Sequence, residues 1–195
     1  MTKHLRMVAL VMGVMALLSV VSGAGSDKKK KGSEGDAFYV FTERGSRLNH
    51  YAPSGWMGDF GDLKINQGWA KGVEKLAAKD DKSFNKGKDP ASLKDETCIQ
   101  VTYTAERKQG AGWAGIYWQN PANNWGDKKG GYNLTGYTKL TFWAKGEKGG
   151  EVVDKFYMGG ITGQTEEGDS DEGSISPVKL TKDWQKYEIS LTGLD

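Results

Sequence analysis

Cys98-Ile99-Gln100-Val101-Thr102-Tyr103-Thr104 decides the fold. Ile99, Val101 and Tyr103 fall on one side of an extended chain and Gln100, Thr102 and Thr104 on the other, the period-two alternation of a strand with one buried face. Outward from this stretch the pattern repeats. Leu140, Phe142 and Ala144 oppose Thr141, Trp143 and Lys145, and Tyr187, Ile189 and Leu191 oppose Glu188 and Ser190. Short runs rich in Val, Ile, Thr, Tyr, Phe and Trp recur between Gly, Asn and Asp clusters. They place strands at 38–42, 97–104, 113–119, 139–145, 152–158, 176–180 and 184–191. Helical spacing is confined to Trp69, Val73, Leu76 and Ala77, before Asp80 and Asp81. With 28 glycines and this strand content, the expectation is an all-β protein, two antiparallel sheets packed face to face over the apolar stripes.

The N-terminus sets the expected compartment. Lys3, His4 and Arg6 precede an apolar run, residues 7–21, that ends in Ser22, Gly23, Ala24 and Gly25. This is the layout of a cleaved export signal, and the run is shorter than the roughly 20 residues a membrane-spanning helix needs. Residues 1–24 are therefore read as a signal peptide. Residues 25–36, Lys-, Gly- and Ser-rich, read as a solvated leader too polar to fold alone. Residues 37–195 remain as one domain, secreted or periplasmic, with no membrane insertion after signal cleavage, and expected as a monomer. Net charge is +2 over the chain, and the signal and leader supply much of it, so nothing predicts nucleic-acid binding. Cys98 is the sole cysteine, which excludes an intramolecular disulfide and leaves a small buried thiol as its natural role.

The densest functional stretch, residues 112–126, reads Gly-Trp-Ala-Gly-Ile-Tyr-Trp-Gln-Asn-Pro-Ala-Asn-Asn-Trp-Gly. A sugar ring has a face of C–H groups and a rim of hydroxyls, so its receptor needs flat aromatic platforms beside amides and carboxylates. Trp113, Tyr117 and Gln119 share one face of this strand, and Ile116 and Trp118 the other. The pattern alone does not say which set packs inward. Trp125 sits in an Asn-Gly loop, where sites commonly lie. A second stretch, residues 49–62, is rich in turn residues and carries His50, Trp56, Asp59 and Asp62, which could line a polar pocket with Trp125. The expected ligand-binding set is Trp113, Tyr117, Trp125 and Trp56 for stacking, with Gln119, Asn120, Asn124 and Asp59 for hydrogen bonds.

Catalytic patterns are poorly served. A triad would have only His50 as base after signal removal, with no Gly-x-Ser-x-Gly elbow, and zinc lacks ligands. A glycosidase needs two carboxylates some 5–10 Å apart, and the sequence favours neither Asp59 with Asp62 nor Glu147 with Glu151. The latter pair brackets a hairpin turn. Glu166, Glu167, Asp169, Asp171 and Glu172 form an acidic loop that could chelate Ca2+ but lacks EF-hand spacing, and a solvated hairpin tip is the plainer reading. Asn133-Leu134-Thr135 matches a glycosylation sequon.

From residue 97 onward the chain resembles the galactose-binding-like jelly rolls, the non-catalytic carbohydrate-binding modules of secreted bacterial proteins. The likeness is carried by Cys98-Ile99-Gln100-Val101-Thr102-Tyr103, Gly112-Trp113-Ala114-Gly115-Ile116-Tyr117-Trp118, Asn123-Asn124-Trp125-Gly126 and Leu140-Thr141-Phe142-Trp143-Ala144-Lys145-Gly146. It continues through Lys155-Phe156-Tyr157-Met158-Gly159-Gly160-Ile161, Val178-Lys179-Leu180-Thr181 and Trp184-Gln185-Lys186-Tyr187-Glu188-Ile189. It covers about half the chain, and fold likeness is a weak warrant for activity. The resemblance implies a jelly-roll β-sandwich, often with a structural Ca2+, and a polysaccharide or oligosaccharide as partner. Such domains continue past the Trp-x-x-Tyr strand with further strands, so it also implies that C-terminal strands are missing here. The leading expectation is non-catalytic carbohydrate binding. The rivals are a jelly-roll glycoside hydrolase or polysaccharide lyase, and a periplasmic or surface structural domain without a small ligand.

Overall fold

The computed structural model describes residues 8–20, 38–42, 44–69, 97–161 and 168–194. The strands are β1 (Val8–Val20), β2 (Phe38–Tyr39), β3 (Ala52–Gly58), β4 (Leu63–Trp69), β5 (Cys98–Tyr103), β6 (Ala114–Gln119), β7 (Tyr137–Gly146), β8 (Val152–Val153), β9 (Phe156–Gly159), β10 (Glu172–Ile175), β11 (Val178–Lys179) and β12 (Gln185–Ser190). A 3-10 turn, Phe60–Asp62, joins β3 to β4. The larger sheet runs β12-β7-β1-β5-β4, with β2 on β1, and three two-stranded pairs stand apart from it: β3-β6, β9-β10 and β8-β11. All of these pairings are antiparallel.

The alternation read from sequence is the alternation of the core. Ile99, Val101, Leu140, Phe142, Ala144, Ile189 and Leu191 are buried together with Phe41, Val178 and Leu180. Ile116 and Trp118 of β6, Phe156 and Met158 of β9, and Ile175 of β10 pack against this cluster from the smaller pairs. The result is an all-β sandwich. Trp143 and Cys98, on the opposite face of their strands, are also buried. Burial pushes the Cys98 thiol up to about 12 against the opposing charge of Lys145, so it is an inert packing group.

Several boundaries differ from the sequence reading. The 38–42 run forms only the two-residue β2. The 152–158 run breaks at Asp154–Lys155 into β8 and β9, and the 176–180 run begins late because Pro177 has no N–H for a ladder. Residues 52–58, read as a turn-rich connection, are a strand. Pro53 is tolerated because β3, among the described residues, is an edge paired with β6 alone, with a register shift between Pro53 and Gly55. The helical spacing begins at Trp69, which ends β4, and its remainder lies outside the described residues.

The apolar run of the expected signal also has a place in the sheet. Val8–Val20 lies between β5 and β7, with register shifts between Gly13 and Leu17 and between Leu18 and Val20. An apolar segment of this length meets the ladder requirements of both flanking strands.

Candidate functional site

The β3-β6 pair positions the site. Ile116 and Trp118 turn inward, so Tyr117 and Gln119 look to the other face, which resolves the orientation that the sequence leaves open. Register places Gly55 opposite Tyr117 and Met57 opposite Gly115 on that same face. Two glycines keep it low. A Cβ at Gly55 would lie 2.7 Å from Tyr117 Cβ and 3.0 Å from Trp125 Cη2, and one at Gly115 would meet Met57 Cε at 2.9 Å and Trp113 Cζ3 at 3.5 Å. The rings of Trp113 and Trp125 therefore lie over glycine backbone. Both are exposed, at 51% and 44%.

Tyr117 is the centre of an aromatic row. Its ring lies 6.1 Å from that of Trp125 at 18° and 6.1 Å from that of Tyr157 at 27°, both near-parallel and offset. Tyr157 reaches this face because Phe156 and Met158, its neighbours on β9, turn into the core. The Tyr117 hydroxyl donates toward the Gly159 carbonyl (3.2 Å) and Asp169 Oδ2 (3.1 Å). Burial, followed by the Asp169 charge, raises the Tyr117 pKa, so the phenol stays a neutral donor. Tyr51 is pushed up to about 12, chiefly by burial. Beside Tyr51, Tyr132 joins a second cluster with Phe38, whose ring stacks on His50 at 4.2 Å. One cleft takes in Tyr51, Tyr117, Tyr132, Tyr157 and Asp169, and continues inward between the layers to Leu140 and Phe142.

The expected hydrogen-bonding residues do a different job. Gln119 is buried, its Nε2 donating to Asn124 O (2.7 Å) and its Oε1 accepting from Ser54 Oγ (2.9 Å). Asn124, also buried, donates to the Asn120 and Lys128 carbonyls and accepts from the Gly126 and Lys128 amides. Asn120 donates to His50 O and accepts from Gly131 N. Asp59 has no exposed surface and accepts from the amides of Gln109, Ala111 and Gly112. Burial alone would raise its pKa, but the amides of Ala111, Gly112, Gln109 and Gly110 outweigh it and hold it below the usual carboxylate range. These four residues shape loops because a buried polar group must spend its bonding capacity locally.

Trp56 is 41% exposed but pairs in register with Ile116, so it lies on the face opposite Tyr117. The structure thus brings Tyr117 and Trp125 together, places Trp113 farther along the same face over Gly115, and leaves Trp56 apart. The polar pocket expected from His50, Trp56, Asp59 and Asp62 does not form: Asp62 is buried against Arg107 N at 2.7 Å, and His50 Nδ1 lies 2.7 Å from the Tyr39 carbonyl oxygen. Comparison with protein families, curated proteins and solved structures finds no match to this chain.

Two site residues were missed by sequence reasoning. Tyr157 carried a signal, the Phe-Tyr-Met alternation with Tyr in the outward position. Asp169 was visible only as one member of an acidic run. Among the described residues, no group of three or more His, Cys, Asp or Glu is arranged to hold a metal. Asp127 caps the loop under the platform, accepting from Trp125 N at 3.0 Å, a bond that lowers its pKa. The arrangement sets near-parallel aromatic rings beside a carboxylate and phenol hydroxyls, a combination of stacking surface and hydrogen-bonding groups.

Proposed function

We propose that this protein binds carbohydrate, a polysaccharide or oligosaccharide chain, along the Trp125–Tyr117–Tyr157 row, without catalysing a reaction. The near-parallel setting of these three rings on the outward face of the β3-β6 pair and β9 carries the reading. Non-catalytic binding is further supported by the fate of one acid–base candidate pair: Asp59 and Asp62 are both buried and bonded to backbone amides. Of the other candidate pair, Glu147 with Glu151, Glu151 accepts from Lys148 N within its hairpin turn. The galactose-binding-like jelly-roll resemblance, and any structural Ca2+, belong to the same proposal and rest on the sequence patterns above.

Export is proposed from the pattern of residues 1–24. Cleavage there would withdraw β1 from the sheet, so N-terminal sequencing of the protein as its cell releases it decides between removal and retention. The binding reading is tested by titrating the full chain with soluble β-glucans, xylans and galactans while following tryptophan fluorescence. A saturable shift with one class, lost in Trp125→Ala while the circular dichroism spectrum persists, is expected. A folded protein that responds to none of them would overturn the proposal.

A further inference from the structure

The site's charges bear on which glycans it can accept, an inference that rests on the platform reading. Asp169 is exposed, and its side chain accepts at Oδ2 from Tyr117 Oη at 3.1 Å and Ile161 N at 2.8 Å, while its own N–H donates to Ile161 O at 2.9 Å. This exposed carboxylate lines the cleft beside Tyr117 and Tyr157, where it can accept a ligand hydroxyl. The cation beside the row, Lys155, sits 4.9 Å from the Tyr157 ring centroid and is paired with Glu172, so it does not neutralise this carboxylate. At the Trp125 end, Asp127 accepts from Trp125 N and is opposed by the charge of Lys128, which leaves Asp169 as the carboxylate that acts on the row. The Asp169 field reaches the phenols of Tyr117, Tyr51 and Tyr157 alike, raising the pKa of each in addition to the effect of burial.

We infer that Asp169 is the specificity-determining residue of the platform, accepting a hydroxyl of an uncharged sugar stacked on Tyr117 and turning away anionic glycans. A hydrogen bond to a carboxylate is about twice as strong as one to a neutral acceptor, which favours a sugar hydroxyl at this position. A uronate or sulfate placed there meets a like charge instead. Two unit charges 4 Å apart in water repel by enough to weaken binding about fivefold, and by more where the groove excludes solvent.

The test uses the full chain and two probes of matched length, a neutral β-glucan or galactan oligosaccharide and a polyuronate, measured by calorimetry at low salt and in 1 M NaCl. Wild type is expected to prefer the neutral probe by about fivefold or more. Asp169→Asn should narrow that ratio to about twofold, mainly by gaining affinity for the polyuronate. High salt should narrow it in wild type as well, since the screening length falls from about 10 Å at 0.1 M to about 3 Å at 1 M. The salt series reads the same repulsion in the unaltered protein, so misfolding of the variant would not rescue the inference. Equal binding of both probes by wild type, or a ratio that neither salt nor the folded variant changes, would overturn it while leaving the platform intact. Binding of neither probe, nor of any glycan in the panel, would overturn the platform reading and this inference together.

Discussion

Gly55→Ala adds one methyl group and removes no aromatic ring, which makes it a sharp probe of the platform. The new carbon would stand 2.7 Å from Tyr117 Cβ, 3.0 Å from Trp125 Cη2 and 3.1 Å from Gln119 Cδ. The Trp125 ring tip can swing away, but Tyr117 Cβ is fixed to the backbone of β6, so no rotamer relieves that clash. The β3-β6 ladder must open. Overpacking of this kind costs about 1–3 kcal/mol, which for a domain of this size lowers Tm by about 2–12 °C. Displacing Trp125 from Tyr117 also forfeits an aromatic pair worth about 0.5–1.5 kcal/mol of stability and takes one ring out of the row, so affinity for the proposed ligand should fall as well. Thermal melts followed by near-ultraviolet circular dichroism, with calorimetry on the glycan that saturates wild type, read both effects. A variant with unchanged Tm and unchanged aromatic dichroism would refute the claim that Gly55 makes room for the row.

Ile189→Ala, at a core position 1% exposed, should cost about 2–5 kcal/mol and lower the urea midpoint. Cys98 should resist a thiol reagent at pH 8 in the folded protein and react only as denaturant unfolds it; rapid labelling without denaturant would contradict its burial. The depressed pKa of Asp59 gives stability that is present above its ordinary value near 3.8 and lost as pH falls through the lower folded value. Asp59→Asn should flatten this acid limb of the stability–pH curve, and an identical acid limb in the variant would show that Asp59 is not its source. A chain beginning at Gly25 lacks β1 and leaves the facing ladders of β5 and β7 unpaired, so it should be less stable and self-associate more than the full chain in size-exclusion runs.

The fold was legible wherever alternation was clean. Ile99, Val101, Leu140, Phe142, Ala144 and Ile189 announced their faces because a strand with one buried side must alternate. The β3 strand was not, since Pro53 and Gly55 are penalised by any strand propensity and only its edge position permits them. For the site, the rings of Trp113, Tyr117 and Trp125 were visible as residue types, but their common face depended on which side of β6 meets the core. The amides misled for a physical reason. Asn120, Asn124 and Gln119 look alike in sequence whether they await a ligand or brace a loop, and burial, a tertiary property, decides between the two. Asp169 reached Tyr117 through the return of the chain at β9, a contact between residues 52 positions apart that no local pattern encodes.

The amide web beneath Trp125 has a consequence for the energetics of recognition. Gln119, Asn120, Asn124 and Asp127 fix the backbone on both sides of the ring before any ligand arrives. A loop already frozen in its bound shape has little conformational entropy left to surrender, and an immobilised side chain otherwise costs about 0.5–1.5 kcal/mol on association. On the proposed glycan-binding reading, a shallow platform makes few contacts per sugar, and rigidity acquired during folding is what would let so few contacts hold a flexible chain.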